Sequence, residues 1–363
     1  MEIIGFLPII INNTFYIYKF MGGFILKIAQ KNFFNKKIEN KIIKIFSISI
    51  FLILTVSILS GCVQQDEKTI KISGAFAMYP MMCIWAEEYQ KIHPDIKIDV
   101  SSGGAGKGMS DAIGGLVNIG MISRDIDPDE ISQGIFWVSV VKDAVVATIN
   151  SQNPVIDIIL EKGLTKEQLK EIFITGNITT WGQLVNTSNS DPIHVYTRSD
   201  SCGAAETWAK YLGDYTQDDF TDKASKVKDD PGVAGAVKND VYGIGYNNIN
   251  YAYSSETKLP FEGLQIVPLD LNENGILDED EDFYSIRDDI LDAIFNGTYP
   301  SPPSRYLHLA TKGSFTGITK DFVYWILTDG QQFVREGGYT PLSQEILNQQ
   351  ISYLESGTRP EIR

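Results

Sequence analysis

The chain has 363 residues, of which 43% are hydrophobic and 21% are charged, and its formal net charge is −15 at pH 7. This length predicts two domains or lobes, and the composition is too apolar for a disordered chain. The acidic balance argues against nucleic acid as a partner, because nucleic acids are bound by basic surfaces. Three cysteines and three histidines exclude a disulfide framework and a four-cysteine zinc site, and they disfavour enzymes built on His or Cys pairs.

Residues 1–61 are predicted to direct the protein to a membrane. Two lysines precede the apolar run 45–59 and small residues follow it, which is the pattern of a secretory signal. The sequence Leu-Ser-Gly directly before Cys62 resembles a lipobox, in which the cysteine thiol is lipidated and becomes the mature N-terminus. Cys62 is therefore the predicted lipid attachment residue, and residues 62–68 are a tether.

An uncleaved transmembrane helix over residues 42–61 is the alternative, because this run is just long enough to span a bilayer. The start codon is Met1 or Met21. With a cleaved or an uncleaved segment, the globular part is expected on the extracytoplasmic face of the cell membrane.

From residue 69 onward, strand-like and helix-like patterns alternate. Strands are predicted over 69–73, 95–100, 117–121, 145–150, 194–197 and 306–311, and a strand or turn over 243–246. Helices are predicted over 80–91, 165–175, 204–212 and 319–328, with a further helix ending at Ile113. This order predicts an α/β fold with a mostly parallel sheet flanked by helices. The strand 145–150 is expected to carry the chain into a second lobe.

Three predicted loops join a strand to a helix and are rich in small residues: 73–78, 103–108 and 197–205. Small residues at a helix N-terminus leave backbone N–H groups exposed, and the helix dipole favours negative charge there. Arg198 adds a planar guanidinium suited to a tetrahedral oxyanion, and Asp200 can hold that group in place. Together the loops indicate an anion site at the carboxyl ends of the strands.

Several segments, in this order, resemble the phosphate-binding proteins of ABC transporters. They are residues 72–74, 79–80, 85–89, 93–98, 103–108, 118–124, 197–200 and 243–246, and the resemblance extends from about residue 69 to the end. It implies a two-lobe, type II periplasmic-binding-protein-like fold that closes on phosphate in the cleft between the lobes. The lobes would be residues 69–143 plus 305–363 and residues 144–304.

In that family, the anion is held by loop N–H groups, hydroxyls, an arginine and, in some members, an acidic acceptor for the phosphate proton. Transferred to this sequence, the resemblance implies the anion-binding residues Ala75, Phe76, Ala77, Ala105, Gly106, Lys107, Ser123, Arg124, Arg198, Asp200, Cys202, Gly203 and Ala204.

The sequence departs from the family at several hydroxyl positions. Where the family tends to carry Ser or Thr, the first loop has Ala75, Phe76 and Ala77 and the second has Ala105. In the third loop Ser201-Cys202-Gly203-Ala204 replaces a Gly-Ser-Gly-Thr-like run, and Ser123-Arg124 occupies the place of the acidic acceptor. Each lost hydrogen bond to a charged ligand is worth about 1.5–3 kcal/mol. Phosphate remains the favoured ligand because the Arg-x-Asp element persists; a site retuned to molybdate, tungstate, sulfate or a phosphonate is the alternative. Whether Cys83 and Cys202 pair stays open.

Residues 270–281 match the twelve-residue loop of an EF-hand calcium site. The predicted oxygen ligands are Asp270, Asn272, Asn274, the carbonyl of Ile276, Asp278 and Glu281, with Gly275 at the sharp turn. Because a strand precedes the loop, we expect a structural Ca²⁺ clamp rather than a paired sensor; an acidic surface turn is the alternative.

The sequence therefore predicts a monomeric, membrane-anchored solute-binding lipoprotein that captures phosphate or a related oxyanion and delivers it to an ABC permease. It is expected to carry out no reaction on the ligand and to need no organic cofactor. An oxyanion sensor or accessory protein is the main alternative. An extracytoplasmic phosphatase has no support from a Gly-x-Ser-x-Gly nucleophile motif.

Overall fold

The computed structural model describes residues 6–11, 14–21, 24–30 and 68–360. The chain divides into two compact units, Met1–Asp66 and Glu67–Arg363. In the first unit, strands β1 (Phe6–Ile11), β2 (Thr14–Met21) and β3 (Phe24–Gln30) form an antiparallel sheet. The apolar run 45–59 and Cys62 lie outside the described residues, so the signal and the lipid attachment stay predictions.

The second unit alternates strands and helices, as the sequence predicts. Its strands are β4 (Lys68–Gly74), β5 (Ile96–Ser102), β6 (Ile119–Ile122), β7 (Ile135–Asn150), β8 (His194–Arg198), β9 (Ser225–Val227), β10 (Gly243–Asn248), β11 (Leu264–Ile266) and β12 (Ser304–Lys312). Its α-helices are α1 (Tyr79–Ile92), α2 (Ala105–Ile113), α3 (Pro128–Ser132), α4 (Ile156–Lys162), α5 (Lys166–Phe173), α6 (Trp181–Val185), α7 (Gly203–Gly213), α8 (Asp230–Lys238), α9 (Ile249–Ala252), α10 (Arg287–Asn296), α11 (Gly317–Leu327) and α12 (Gln344–Ser356). Short 3₁₀ helices cover Phe76–Met78, Gln217–Asp219 and Asp329–Phe333.

One sheet runs through the whole second unit in the order β5-β4-β6-β12-β7-β10-β8-β9, with β11 paired to β7. The pairs of β4 with β5 and β6, and of β8 with β9 and β10, are parallel, whereas the pairs through β7 and β12 are antiparallel. The first part of β7 pairs with β12 and its last residues pair with β10 and β11. The predicted strand 145–150 is thus the end of a 16-residue strand that belongs to both halves of the sheet.

Two separate apolar cores divide this unit into lobes. The first core takes buried side chains from Ile70 to Val141 and from Leu307 to Leu354, and the second takes them from Ala144 to Tyr299. The chain therefore enters the second lobe along β7 and returns along β12. This confirms the predicted two-lobe α/β fold.

The parallel strands explain where the polar loops lie. β4, β5 and β6 run in the same direction, so Gly74, Ser102 and Ile122 end at the same edge of the first lobe's sheet. In the second lobe, β8 ends at Arg198, directly before α7. Across the described residues, no helix combines the length and the apolar character needed to cross a membrane.

Candidate anion-binding site

The three loops predicted from the sequence meet in the structure. Gly104 and Gly106 of the second loop lie against Ser201 of the third: a Cβ atom at these glycines would be 2.8 Å from the Ser201 carbonyl oxygen and 2.9 Å from its Oγ. The ring of Phe76, in the first loop, lies 5.6 Å from the guanidinium carbon of Arg198. Loops of both lobes therefore surround one point in the cleft.

The first and second loops are fastened to each other by the backbone. The N–H groups of Gly103 and Gly104 both donate to the carbonyl of Gly74, at 2.9 and 3.1 Å. Gly74 has a φ of +138°, and a Cβ there would lie 2.3 Å from the Met121 carbonyl oxygen. Only glycine fits this close approach, so the small residues hold the N-termini of two helical segments side by side.

Arg198 is the cation at this point, and it is 2% exposed. Its Nε and one terminal nitrogen donate to the two carboxylate oxygens of Asp200 at 2.8 and 2.6 Å, and the other terminal nitrogen donates to Asp230 at 2.6 Å. Burial alone would lower the pKa of Arg198, but the two carboxylates raise it overall. Of the five guanidinium N–H groups, two remain for a ligand, already fixed in direction.

Asp200 stays ionised beside this arginine. Burial alone would raise its pKa, but hydrogen bonds and charge from Arg198 lower it overall. The carboxylate also faces the second loop, since a Cβ at Gly104 would be 3.5 Å from its Oδ2. A fixed carboxylate next to an anion site favours a ligand that can bring a proton.

Backbone N–H groups supply most of the remaining donors. The first residues of a helix lack intrahelical acceptors for their N–H groups, and this places such groups at Ala105, Gly106 and Lys107 of α2 and at Gly203 and Ala204 of α7. Phe76 and Ala77 present backbone N–H groups of the same kind at the start of the 3₁₀ helix.

Besides Arg198 and Asp200, four predicted ligand residues have a partner within the protein. The N–H of Ala75 donates to Met121, and the N–H of Cys202 donates to the Gln217 side chain. The Lys107 ammonium is paired with Asp111, and Arg124 forms a two-point ion pair with Glu130 at 2.5 and 3.0 Å. These contacts shape the loops, and the donors that the loops bring to the point between the lobes are Arg198 and the helix N-termini.

The remaining predicted site residue, Ser123, is where the two lobes touch. It follows β6 in the first lobe and is 2% exposed. A Cβ at Gly203, the first residue of α7 in the second lobe, would lie 2.1 Å from the Ser123 carbonyl oxygen and 2.4 Å from its Oγ. The lobes meet here with no space for a side chain on α7.

Further contacts between the lobes lie around the same loops. Tyr251 donates to the carbonyl of Phe76 at 3.2 Å, and Lys210 pairs with Asp125 at 2.7 Å. Both lobes also line a cavity of about 750 Å³, with Ser201, Arg124 and Arg305 among its residues. The cleft is closed over the loops, with this cavity beside them.

A buried polar network that the sequence did not predict extends from Arg198. Asp230 accepts from Arg198 and, at 2.6 Å, from the side chain of Asn248, and Asn248 in turn accepts from Arg305. Arg305 also contacts Asp143 at 3.4 Å. In the sequence, only Asp143 hints at this network, because it is a charged residue inside a strongly apolar strand. The other residues of the network are far apart in the sequence and are brought together by the fold.

The burial of Asp143 has a consequence for stability against pH. Burial raises the pKa of Asp143 to about 7, and Arg305 offsets this only in part. The folded chain therefore holds a proton that the unfolded chain, with a carboxyl pKa of 3.8, releases. This contribution to stability is complete below about pH 4 and is lost as the pH rises through about 7.

We expect the Asp143→Asn substitution to remove this dependence, because the amide never ionises. Relative to the native chain, its free energy of unfolding should gain up to about 4 kcal/mol between pH 4 and pH 8. Denaturant unfolding at a series of pH values measures the difference. A stability difference between the variant and the native chain that stays the same from pH 4 to pH 8 would show that Asp143 is already ionised in the folded chain and that the Arg305 pair outweighs burial.

A family model described as the PBP superfamily domain matches residues 63–330. Among curated proteins, the phosphate-binding protein PstS of Bacillus subtilis is 28% identical over 298 residues, which covers 78% of this chain and 85% of the relative. PstS of Methanocaldococcus jannaschii is 27% identical over 358 residues, covering 80% of this chain and 89% of the relative.

Solved structures share the fold. A protein from Clostridium perfringens, assigned as a phosphate ABC transporter substrate-binding protein and solved with bound phosphate, superposes with a TM-score of 0.62 at 24% identity, covering 76% of this chain and 100% of that one. An ABC-type phosphate transport receptor from Vibrio cholerae gives a TM-score of 0.55 at 22% identity, covering 75% and 100%.

Proposed function

The chain belongs to the PBP superfamily, and we propose that it is an extracytoplasmic solute-binding protein that captures inorganic phosphate and passes it to an ABC permease. The curated relatives named above are phosphate-binding proteins, and they match over most of their length. The observation that carries the proposal is the buried Arg198, clamped by Asp200 and Asp230 with two N–H groups left over.

The donor set suits a small, multiply charged oxyanion. Arginine and helix N-termini bind phosphate oxygens without a metal ion. The alanines at positions 75, 77 and 105 remove hydroxyl donors but leave the backbone N–H groups of the loops in place. Such a site depends on backbone geometry more than on side-chain identity.

The charges around the site favour phosphate over sulfate. The single positive charge of Arg198 is paired with two carboxylates, those of Asp200 and Asp230, so these three side chains together offer a doubly charged anion no net attraction. Hydrogen phosphate can donate a proton to the ionised Asp200 carboxylate, whereas sulfate has no proton at neutral pH and would meet that carboxylate as a repelling charge. We therefore assign Asp200 as the acceptor that the sequence did not reveal.

Binding and closure are coupled in this account. Phe76 and the α2 N-terminus belong to the first lobe, and Arg198 and the α7 N-terminus belong to the second. An anion between them makes all of these contacts only when the lobes are together, so it favours the closed state by differential contact. Release then requires opening, which is the step that a permease would promote.

The rest of the proposal concerns where the protein works. Cys62, if lipidated, would anchor a monomer to the outer face of the cell membrane with the lobes free to close. Binding then leaves the ligand chemically unchanged, and transport energy comes from the ATPase of the permease.

Calorimetric titration of the phosphate-stripped full chain with a set of oxyanions tests the ligand. We expect one phosphate per chain, bound at least about tenfold more tightly than sulfate, because one hydrogen bond to a charged group is worth about 1.5–3 kcal/mol. Molybdate, tungstate and a phosphonate complete the set. No response to phosphate, with tight binding of another of these anions, would contradict the proposal and indicate a retuned site.

A further inference from the structure

A strongly acidic loop lies in the second lobe between β11 and α10. Residues 270–282 contain seven Asp or Glu residues and no Lys or Arg. Within the described part of the chain, none of these seven carboxylates forms an ion pair with a lysine, arginine or histidine. The described residues therefore place no paired cation against this charge.

The first half of the loop is wound around its own oxygen atoms. Asp270 is only 3% exposed, and its carboxylate accepts from the N–H groups of Asn274 and Gly275 at 3.2 and 2.9 Å. The Asn272 and Asn274 side-chain oxygens accept from backbone N–H groups two residues further on, at 3.0 and 2.8 Å. Gly275, with a φ of +79°, makes the sharp turn.

The second half brings Glu281 back onto the start of the loop. One of its carboxylate oxygens accepts from the N–H groups of Leu271 and Asn272 at 3.1 and 3.0 Å. Glu281 is only 4% exposed, and its other oxygen, Oε2, is buried without a hydrogen-bond partner. A buried carboxylate oxygen with no donor is costly, and it points to a cation that completes its coordination.

We propose that this loop binds one Ca²⁺ ion. The oxygen donors are Asp270, Asn272, Asn274, the carbonyl of Ile276, Asp278 and Glu281, at positions 1, 3, 5, 7, 9 and 12 of the loop. Residues 68–360 contain no cluster of three or more His, Cys, Asp or Glu side chains placed to hold a metal. Three of the six donors are carboxylates, and they are not gathered around one point here: Asp278 Oδ2 accepts from the side-chain amides of Asn272 and Asn274, both at 2.8 Å, so Asp278 has to turn toward Asp270 and Glu281 when the ion binds. Amide and backbone oxygens supply the other half of the set, which suits the hard Ca²⁺ ion.

The site fastens the loop to the body of the second lobe. Asp270 donates its N–H to the Leu164 carbonyl at 3.1 Å, and Leu277 donates to the Glu161 carbonyl at 3.1 Å. The residues after the loop, Phe283 and Tyr284, pack in the second core. Ca²⁺ therefore acts as a structural clamp, and this role is independent of the anion site.

Calorimetry and thermal unfolding of the full chain with CaCl₂, in phosphate-free buffer, test the proposal. We expect one Ca²⁺ per chain with a Kd of about 10⁻⁴–10⁻³ M, typical of extracellular modules, and a higher Tm at about 10 mM Ca²⁺. MgCl₂ should bind at least about tenfold more weakly, because the bidentate Glu suits the larger ion.

The Glu281→Gln variant should weaken Ca²⁺ binding at least about tenfold, since it removes the bidentate carboxylate. The matched control is Glu279→Gln, at an exposed position of the same loop, which should stay within about twofold of the native chain because it removes the same charge but no ligand. If Glu281→Gln does not fold, Asn272→Ala at an exposed position tests the same donor ring. No heat and no change in Tm for the native chain, or equal losses in the ligand and control variants, would overturn the assignment.

Discussion

The Arg198→Lys variant should bind phosphate about 10²–10³-fold more weakly than the native chain. Lysine keeps the charge, but its ammonium cannot hold Asp200 and Asp230 and still present two directed N–H groups to an anion. Losing one to two hydrogen bonds of about 1.5–3 kcal/mol each gives an effect of this order. Titration calorimetry measures it, after thermal unfolding has shown that the variant is folded.

The matched control is Arg335→Lys. Arg335 also forms a two-point pair with a carboxylate, that of Asp292 at 2.6 and 2.9 Å, but it is an exposed pair outside the three loops. Its replacement should leave phosphate affinity unchanged. Equal phosphate affinities for the Arg198→Lys variant and the native chain would show that Arg198 does not bind the anion.

The Gly203→Ala variant should fold normally and yet bind phosphate on the order of 10–100-fold more weakly. The added methyl group would lie 2.1 Å from the Ser123 carbonyl oxygen when the lobes are together, and overpacking of this kind costs about 1–3 kcal/mol. The open form avoids the clash because Ser123 and Gly203 belong to different lobes. The substitution therefore acts on closure and leaves each core intact.

Small-angle scattering in saturating phosphate, together with calorimetry, measures this effect: the variant should show a larger radius of gyration than the native chain. Gly235→Ala is the control, because a Cβ at that position of α8 has no neighbouring atom within 4 Å. A Gly203→Ala variant that closes fully and binds with native affinity would mean that closure does not bring these two residues together.

The periodic parts of the fold could be predicted from the sequence. The alternation of apolar and polar residues placed a strand over 69–73, and the structure has it at Lys68–Gly74. The apolar face after Pro80 placed a helix over 80–91, found at Tyr79–Ile92. In both elements the burial pattern repeats over several residues, so the local sequence is sufficient.

β7 was predicted too short for a physical reason. The sequence indicated residues 145–150, whereas the strand runs from Ile135 to Asn150. Lys142 and Asp143 interrupt the apolar run and resemble the end of a strand. In the structure Asp143 is buried where the strand passes from one lobe to the other, with Arg305 of β12 beside it. A charge inside a strand is explained here by a partner 162 residues away.

The contacts of the candidate site are also of two kinds, those between residues close in the sequence and those between distant residues. Arg198 and Asp200 are two residues apart, so their pairing was visible in the sequence. Asp230 is 32 residues from Arg198, and Asn248 is 57 residues from Arg305. Such contacts depend on the topology of the sheet, and no local pattern reports them. The proposed calcium loop could be recognised from the sequence, because all of its donors fall within twelve residues.

A crystal structure of the chain grown with phosphate tests most directly whether the three loops bind the anion. We expect one tetrahedral anion in the closed cleft, within hydrogen-bond distance of the two unpaired N–H groups of Arg198 and of the N-termini of α2 and α7, with an oxygen facing Asp200. An anion bound instead in the neighbouring cavity beside Arg124 and Lys210, or a cleft without phosphate at saturating concentration, would contradict it.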